Sequence, residues 1–534
     1  MSKKKVNKVE HINLSDIKDP SFLKNLSYAE LNVLADDIRK EIIRCTAKNG
    51  GHLSSNLGVV ELTIAIEHFF DLSKDKLIFD VGHQCYTHKI LTGRPLESLR
   101  QTHGISGFQK IDESVYDCFD AGHSSTSISA ANGFAIARDL KGENYNVIAL
   151  IGDGSIPSGL AFEGLNNIAS GKNKVIIILN DNGMSISKPV GALSKRFGKI
   201  STAAGYNRLK YGYRKAMFKT KFGKKIYHLT LRMKNWFKRH LTSPNPFTDL
   251  GFAYVGPVDG HDIKKLEKAF KRSTYTDKSV VIHVCTTKGK GYQLAENDVT
   301  GSWHGVAPFK IQDGEPIKCS SNVSWSKVFA ELSLKEMEKH QDAFMISPAT
   351  AVGAEIEEVL KRFPERSLDV GIAEEHAATL SGALSRGGFH PIISIYSTFM
   401  QRAYDEISHD MSRTKANVTL LVDRAGLVGR DGETHQGIYD AAFLSSIPGV
   451  VISMPSTRAE AEFLYEESFN NHGVFAIRYP RATCLAQGDN KSLSFGKWIK
   501  LRESSDKKVA VIGVGHLIRE LNELIGKQNL DCTV

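Results

Sequence analysis

Four short apolar runs in the first half of the chain, KLIFDVG, NVIALIGDG, KVIIILNDN and SVVIHVCTTKG, each break off in Gly, Asp, Asn or Lys and are separated by stretches of helical character. Continuous runs this short predict strands buried on both faces, which is the pattern of a parallel sheet covered by crossover helices. In such sheets ligands gather at the carboxyl ends of the strands. A second series follows the Gly/Pro-bearing stretch GVAPFKIQDGEPIK: DAFMISPA, SLDVGIAEEHA, HPIISIYSTF, NVTLLVDRAG, GVVISMPS and VFAIRYPR. The expected fold is therefore α/β, with two parallel-sheet domains, 1–318 and 319–495, carrying helices on both faces. A third α/β domain starts at 496–534, where KKVAVIGVG, the helix LIRELNELIG and LDCTV begin a β-α-β unit whose remaining elements are absent. Ahead of the first strand, residues 27–75 read as helices around the glycine-bearing loop NGGHLSSNLG.

With 41% hydrophobic and 24% charged residues over 534 positions, the chain can bury several cores and reads as a soluble protein. Its first residues, MSKKKVNKVE, are basic but lead into polar sequence, and no run of about 18 apolar residues follows. A cytoplasmic protein is expected, with no membrane partner. The seven cysteines are scattered without a CxxC pair, so reduced thiols are expected rather than a disulfide framework or zinc knuckle. The net charge of +10 invites a nucleic-acid reading. Residues 183–248 alone, however, hold sixteen Lys and Arg and no Asp or Glu, and the remainder of the chain carries −6. No nucleic-acid partner is expected from such a body. The basic segment, 185–248, reads as a solvated, mobile excursion, with steering of anionic substrates or weak polyanion binding as its alternatives.

The sharpest chemical signal is GDG at Gly152–Gly154 after one apolar strand, with Asn182 in NDNGM after the next. Alone, Gly-Asp-Gly is an ordinary turn. The pair of strand ends offers one carboxylate (Asp153), one amide oxygen (Asn182) and the Met184 carbonyl, a hard octahedral oxygen set of the kind Mg²⁺ takes at about 2.1 Å while keeping phosphate oxygens in its shell. The helix AFEGLNNIAS that follows has N-terminal amides able to face phosphate.

This arrangement resembles the thiamine-diphosphate-binding motif. GGHLSSNLG, FDVGHQCYTHKILTGR, AGHSSTSIS, GPVDGHD, TTKGKGY, IAEEHA, IYSTFMQRAYD, DRAGLVGRDGETHQG and RYPR together resemble the 1-deoxy-D-xylulose-5-phosphate synthase family, a transketolase-like branch, from about Asp16 to Val534. The resemblance implies thiamine diphosphate and Mg²⁺ as cofactors and a thiamine-diphosphate-binding fold. It implies a decarboxylating carboligase joining pyruvate to D-glyceraldehyde 3-phosphate, whose product feeds isoprenoid, thiamine and pyridoxal biosynthesis, and a homodimer. It places the cofactor on His83, Gly122, His123, Ser124, Gly154, Ser155, Asn182 and Tyr292, with Phe399 stacked on its aminopyrimidine ring and Glu374 on a ring nitrogen as activator.

His52, His83 and His123 follow glycines, where imidazoles can relay protons near neutral pH; any one alone would more often be structural. Lys288, His304 and His435 are candidates to stabilise developing negative charge. Arg424 and Arg481 suit the acceptor's phosphate, because guanidinium forks bind phosphate oxygens in pairs. Tyr396, Arg402 and Asp431 complete the expected pocket, and the choice between Arg478 and Arg481 stays open. Gly183 and Ala482 depart from the family's usual residues without removing a named ligand. Two other readings stand beside this one: a ketol-transferring transketolase, and a non-catalytic paralogue with a shortened C-terminal domain.

Overall fold

The computed structural model describes residues 11–183, 245–317, 323–484, 493–506 and 508–534. Met184, Cys319 and the basic segment as far as residue 244 lie outside the described residues. The chain divides into two units, 1–315 and 316–534, and residues 496–534 group with the second.

In the first unit, helix α1 (Tyr28–Asn49) opens on a capping box, with Ser27 and Glu30 each accepting from the other's backbone N–H. It stops at Gly50, whose φ of +74° is a conformation that favours glycine. The expected loop NGGHLSSNLG contains a short helix, α2 (Leu53–Gly58), which buries Leu53 and Leu57, and α3 (Val60–Phe69) follows. Among the described residues five strands come next: β1 (Lys76–Phe79), β2 (Val147–Gly152), β3 (Ile176–Asp181), β4 (Ala253–Asp259) and β5 (Val280–Cys285). They form one sheet in the order β1-β2-β3-β5-β4, every pairing parallel. Four are the apolar runs of the sequence, and β4 is an addition.

Side chains alternate across this sheet as the pleat requires. Ile176 and Ile178 pack among residues of α1 and α3, while Ile177 and Leu179 pack with Ile128 and Ala131 of α4 (Ser127–Lys141) and Leu165 of α5 (Gly159–Ser170). Helices thus cover both faces, and each fully buried Ile or Leu contributes about 1.5–3 kcal/mol. The carboxyl ends of β1, β2, β3 and β5 lie along one edge and carry Asp80, Asp153, Asn182 and Lys288.

The second unit holds β6 (Ala343–Ser347), β7 (Ser367–Asp369), β8 (His390–Tyr396), β9 (Val418–Asp423), β10 (Val450–Ser453) and β11 (Val474–Arg478), the six runs of the second series. They pair in parallel in the order β10-β11-β9-β8-β6-β7. Leu421, Phe475 and Ile477 pack with Trp325 and Phe329 of α6 (Trp325–Lys339); Leu420 and Val422 pack on the other face with Ala377 and Ala378 of α7 (Glu374–Arg386). The run KKVAVIGVG does not form the expected strand: it makes a single parallel bridge, Ala510 to Thr533, beside the helix Leu517–Lys527. Val509, Ile512 and Val514 are exposed, unlike the buried runs of the two sheets. No described helix is long and apolar enough to cross a membrane.

Candidate active site

In the first unit the GDG and NDN elements meet as their spacing predicts. The Asp153 N–H donates to the Asn180 carbonyl at 3.1 Å, and the Asn182 N–H hydrogen-bonds the Asp153 carboxylate. Burial, reinforced by Asp181, pushes the Asp153 carboxyl up to about 7, against the pull of Asn182 and Lys288. A carboxylate held there is short of positive charge, which suits it to a divalent cation. A Cβ added at Gly152 would meet nothing within 4 Å, so space is open beside the turn. Gly154 and Ser155 continue that turn, with the Ser155 N–H on the Gly152 carbonyl at 3.1 Å. Helix α5 begins only at Gly159, so its first amides stand a full turn of chain beyond GDG.

The loop of Gly122, His123 and Ser124 is fixed from β1. Asp80, fully buried, accepts from the Ser125 N–H at 2.8 Å, the Ser127 N–H at 3.2 Å and the Ser127 hydroxyl at 2.8 Å. The Ser125 hydroxyl reaches the Ser155 carbonyl at 3.3 Å, tying this loop to the GDG turn.

His52, His83 and His304 come together from three loops, with ring centroids 5.0–5.7 Å apart. Buried Asn56 clamps two of those loops. Its amide donates to the carbonyls of His52 at 2.7 Å and His83 at 2.8 Å, while its oxygen accepts the Tyr86 N–H at 2.9 Å. The third loop is zipped on by the Gly51–Val306 pair at 2.8 and 2.9 Å. Burial and the neighbouring His83 and Lys288 hold His304 well below the usual imidazole range, so it is neutral. Burial likewise lowers the Lys288 ammonium, opposed by Asp298 and Asp153. The loop before Lys288 is anchored by a chain that runs from the interior to the surface: Arg39 donates to Glu61 at 2.7 Å, the same carboxylate meets His261 Nδ1 at 3.0 Å, and His261 Nε2 accepts the Thr287 N–H at 2.8 Å. Tyr292 is set differently from its neighbours: it packs edge-on against Trp303, and its hydroxyl donates to the Ile311 carbonyl at 2.9 Å.

In the second unit Glu374 is the first residue of α7, and β7 stops before it at Asp369. Its carboxyl is buried and pushed up to about 7 by that burial, with Arg402 pulling the other way. Oε2 has no hydrogen-bond partner among the described residues, with Arg402 no nearer than 3.8 Å, which leaves a buried polar atom for a ligand to satisfy. Phe399 stacks on Tyr396 at 5.5 Å and meets His435 edge-on at 5.5 Å. Arg424 lies over the Tyr396 ring at 3.7 Å and donates to the Gly353 carbonyl at 3.2 and 3.3 Å. Asp431 sits between Arg424, 4.0 Å away, and Arg481, with which it forms an ion pair. The DRAG and THQG segments pair through Gly426 and Gly437 at 2.7 and 2.8 Å, which returns the chain so that His435 reaches Phe399. Arg478 is engaged elsewhere, donating twice to fully buried Asp440 at 2.7 and 2.9 Å.

The sequence reading did not pick out Asn56, Asp80 and Gly353. Asp80 stands in FDVG and Asn56 in GGHLSSNLG, so both were signalled only as members of a motif. A Cβ on Gly353 would fall 1.7 Å from the Tyr396 hydroxyl, a requirement that appears only once the chain is folded.

A parallel sheet that brings a buried carboxylate and an amide together at its strand ends, and a second parallel sheet followed by a buried carboxyl with one oxygen outside any hydrogen bond, fit a thiamine-diphosphate-dependent transferase of the transketolase type. Residues 14–286 match the family model described as 1-deoxy-D-xylulose-5-phosphate synthase, and residues 321–485 match the transketolase pyrimidine binding domain. The chain is 44% identical over 98% of its length to the 1-deoxy-D-xylulose-5-phosphate synthase of Macrococcus caseolyticus, covering 85% of that protein. It is 45% identical to those of Shouchella clausii and Listeria innocua, over 94% of this chain and 81% of each relative. The chain belongs to the 1-deoxy-D-xylulose-5-phosphate synthase family.

Proposed function

We propose that this chain condenses pyruvate with D-glyceraldehyde 3-phosphate, releasing CO₂ and 1-deoxy-D-xylulose 5-phosphate, and that it does so with Mg²⁺. The single observation that carries the reading is the buried Glu374 carboxyl with an unpartnered oxygen. Thiamine diphosphate, when bound, supplies an acidic carbon that adds to a carbonyl and an electron sink for loss of CO₂. Asp153 and Asn182 would hold the cation, and Met184, expected as its third ligand, lies outside the described residues; His83, Gly122, His123, Ser124, Gly154, Ser155 and Tyr292 would belong to the cofactor's site. Glu374, poised near neutral pH to hold a proton, would share it with the aminopyrimidine ring nitrogen, and Phe399 would support the ring.

Neutral His304, with His52 and Lys288, donates hydrogen bonds to the oxygen on which charge develops, and His435 serves the acceptor aldehyde. Arg424 and Arg481, spaced by Asp431, take the phosphate. The commitment of Arg478 to Asp440 supports assigning that role to Arg481. Arg402 and Tyr396 shape the pocket around them. We further propose a homodimer, because a cofactor cleft shared between domains of this superfamily needs a large interface, and a cytoplasmic location, which the free thiols of Cys45, Cys85, Cys118, Cys285 and Cys532 support.

The deciding experiment incubates the protein with pyruvate and glyceraldehyde 3-phosphate, with and without Mg²⁺ and thiamine diphosphate, and follows CO₂ and the pentulose phosphate. Stoichiometric release of both supports the reading. Ketol transfer between sugar phosphates without CO₂ would establish the transketolase alternative, and cofactor binding without either product would establish the non-catalytic one.

A further inference from the structure

Beside the cation site of Asp153 and Asn182 lies a second group of ligand-type side chains that the reaction does not use. Asp181 ends β3, His283 and Cys285 end β5, and Asp181 is the register partner of Cys285. Residues two apart on a strand share a face, so the imidazole and the thiol are presented together, next to the carboxylate. One donor atom from each of the three lies within 4.8 Å of the others. Asp181 Oδ2 and His283 Nε2 are 2.7 Å apart, and Cys285 Sγ is 4.0 Å from that nitrogen. Asp181 and His283 are buried, whereas Cys285 is partly exposed and gives access.

We infer that Asp181, His283 and Cys285 form a separate site for a thiophilic divalent cation such as Zn²⁺. The donor set selects the ion: one thiolate, one imidazole and one carboxylate suit a borderline-soft metal and reject hard Mg²⁺, which demands oxygen ligands. The charge balances, since carboxylate and thiolate neutralise the ion and the imidazole stays neutral, as a buried site requires. The protons also balance. The Cys285 thiol releases its proton to solvent as the metal–sulfur bond forms, and the imidazole proton moves from Nε2 to Nδ1.

The partner for that moved proton is in place, because the Tyr254 hydroxyl stands 2.7 Å from His283 Nδ1. A second partner on the far ring nitrogen is the usual support of a metal-bound histidine. With bonds of about 2.0–2.3 Å, neighbouring tetrahedral ligands stand roughly 3.3–3.7 Å apart, so Asp181 and His283 must part by about 0.6 Å. The other Asp181 oxygen accepts the Gly183 N–H at 3.1 Å and holds the carboxylate during that adjustment. Water from the exposed side completes the shell.

The test titrates the full-length, metal-free protein with Co²⁺ in the presence of saturating Mg²⁺. Expected is stoichiometric binding with a near-ultraviolet sulfur-to-cobalt charge-transfer band, displaced by Zn²⁺, and abolished in Cys285→Val. Tyr254→Phe should keep the band and weaken affinity by about tenfold or more. Cys45→Ser serves as the control, because Cys45 lies with Glu41 and Glu97 in the other described group of such ligands. A band lost in Cys45→Ser but kept in Cys285→Val would overturn the assignment, as would Co²⁺ binding without a sulfur band that is abolished in Asp153→Ala. Absence of stoichiometric binding would overturn it equally.

Discussion

Glu374 and Arg402 stand 3.8 Å apart, close enough to attract and too far for a hydrogen bond between the facing atoms. The guanidinium therefore fails to cancel the effect of burial, and the carboxyl stays near 7 instead of falling to the usual carboxylate range. A carboxyl so poised can hold or release a proton at neutral pH.

Glu374→Gln keeps the volume and removes that proton chemistry. Turnover should fall by about two or more powers of ten, while Mg²⁺-dependent cofactor binding, measured by fluorescence or calorimetry, is retained. Near-normal turnover would remove Glu374 from the mechanism.

Asp153 and Glu374 also make the cofactor-free protein sensitive to pH. Each has a folded value near 7 against ordinary values of 3.8 and 4.5, so the folded state binds their protons more tightly than the unfolded state. The stability they contribute is fully present below the ordinary values and is lost as pH rises through 7. The thermal midpoint of apo protein should decline between about pH 5 and pH 8, and decline less in Asp153→Asn. Mg²⁺ with thiamine diphosphate should flatten the curve, and Asp153→Ala should weaken cation and cofactor together. Parallel curves for wild type and Asp153→Asn would contradict the burial argument.

The parallel sheets were legible because buried strands such as β3 and β9 are unbroken apolar runs. Strand β4 was not: it lies at the sheet edge, is half exposed, and contains Gly256-Pro257, so neither period nor composition marks it. KKVAVIGVG misleads in the opposite sense, having strand composition but making only one bridge. Within the site, the meeting of the GDG and NDN turns was legible from type and spacing, since neighbouring parallel strands bring their ends together. Asn56 could not, because its role is to join backbone carbonyls of two loops separated by about thirty residues. The same holds for Arg478 and Arg481, which nothing local distinguishes until Asp440 is seen to occupy the first.

That distinction separates two substitutions. Arg478→Ala leaves fully buried Asp440 without its cation, a change expected to cost about 3–5 kcal/mol of stability and to show as a lowered denaturant midpoint. Arg481→Ala, at a half-exposed side chain, should leave stability nearly unchanged and raise KM for glyceraldehyde 3-phosphate with little effect on the pyruvate half-reaction. The reverse outcome would exchange their roles.

Gly353 tests how Arg424, the arginine proposed for the phosphate, is held. Its carbonyl accepts both terminal nitrogens of Arg424, and a Cβ there would fall 1.7 Å from the Tyr396 hydroxyl and 3.1 Å from Arg424 Nη2. Tyr396 is half-buried, with Arg424 over its ring and Phe399 stacked beside it, so retreat of the hydroxyl disturbs both contacts. Gly353→Ala should therefore lower stability by about 1–3 kcal/mol, the usual range for overpacking, and should raise KM for glyceraldehyde 3-phosphate more than KM for pyruvate. Tyr396→Phe removes the oxygen that the new methyl would strike. In the double variant Gly353→Ala/Tyr396→Phe the loss of stability should be smaller than the sum of the single losses, because the clash is shared between the two positions. Strict additivity in that cycle would show that the methyl is accommodated elsewhere and that Gly353 does not set the position of Tyr396.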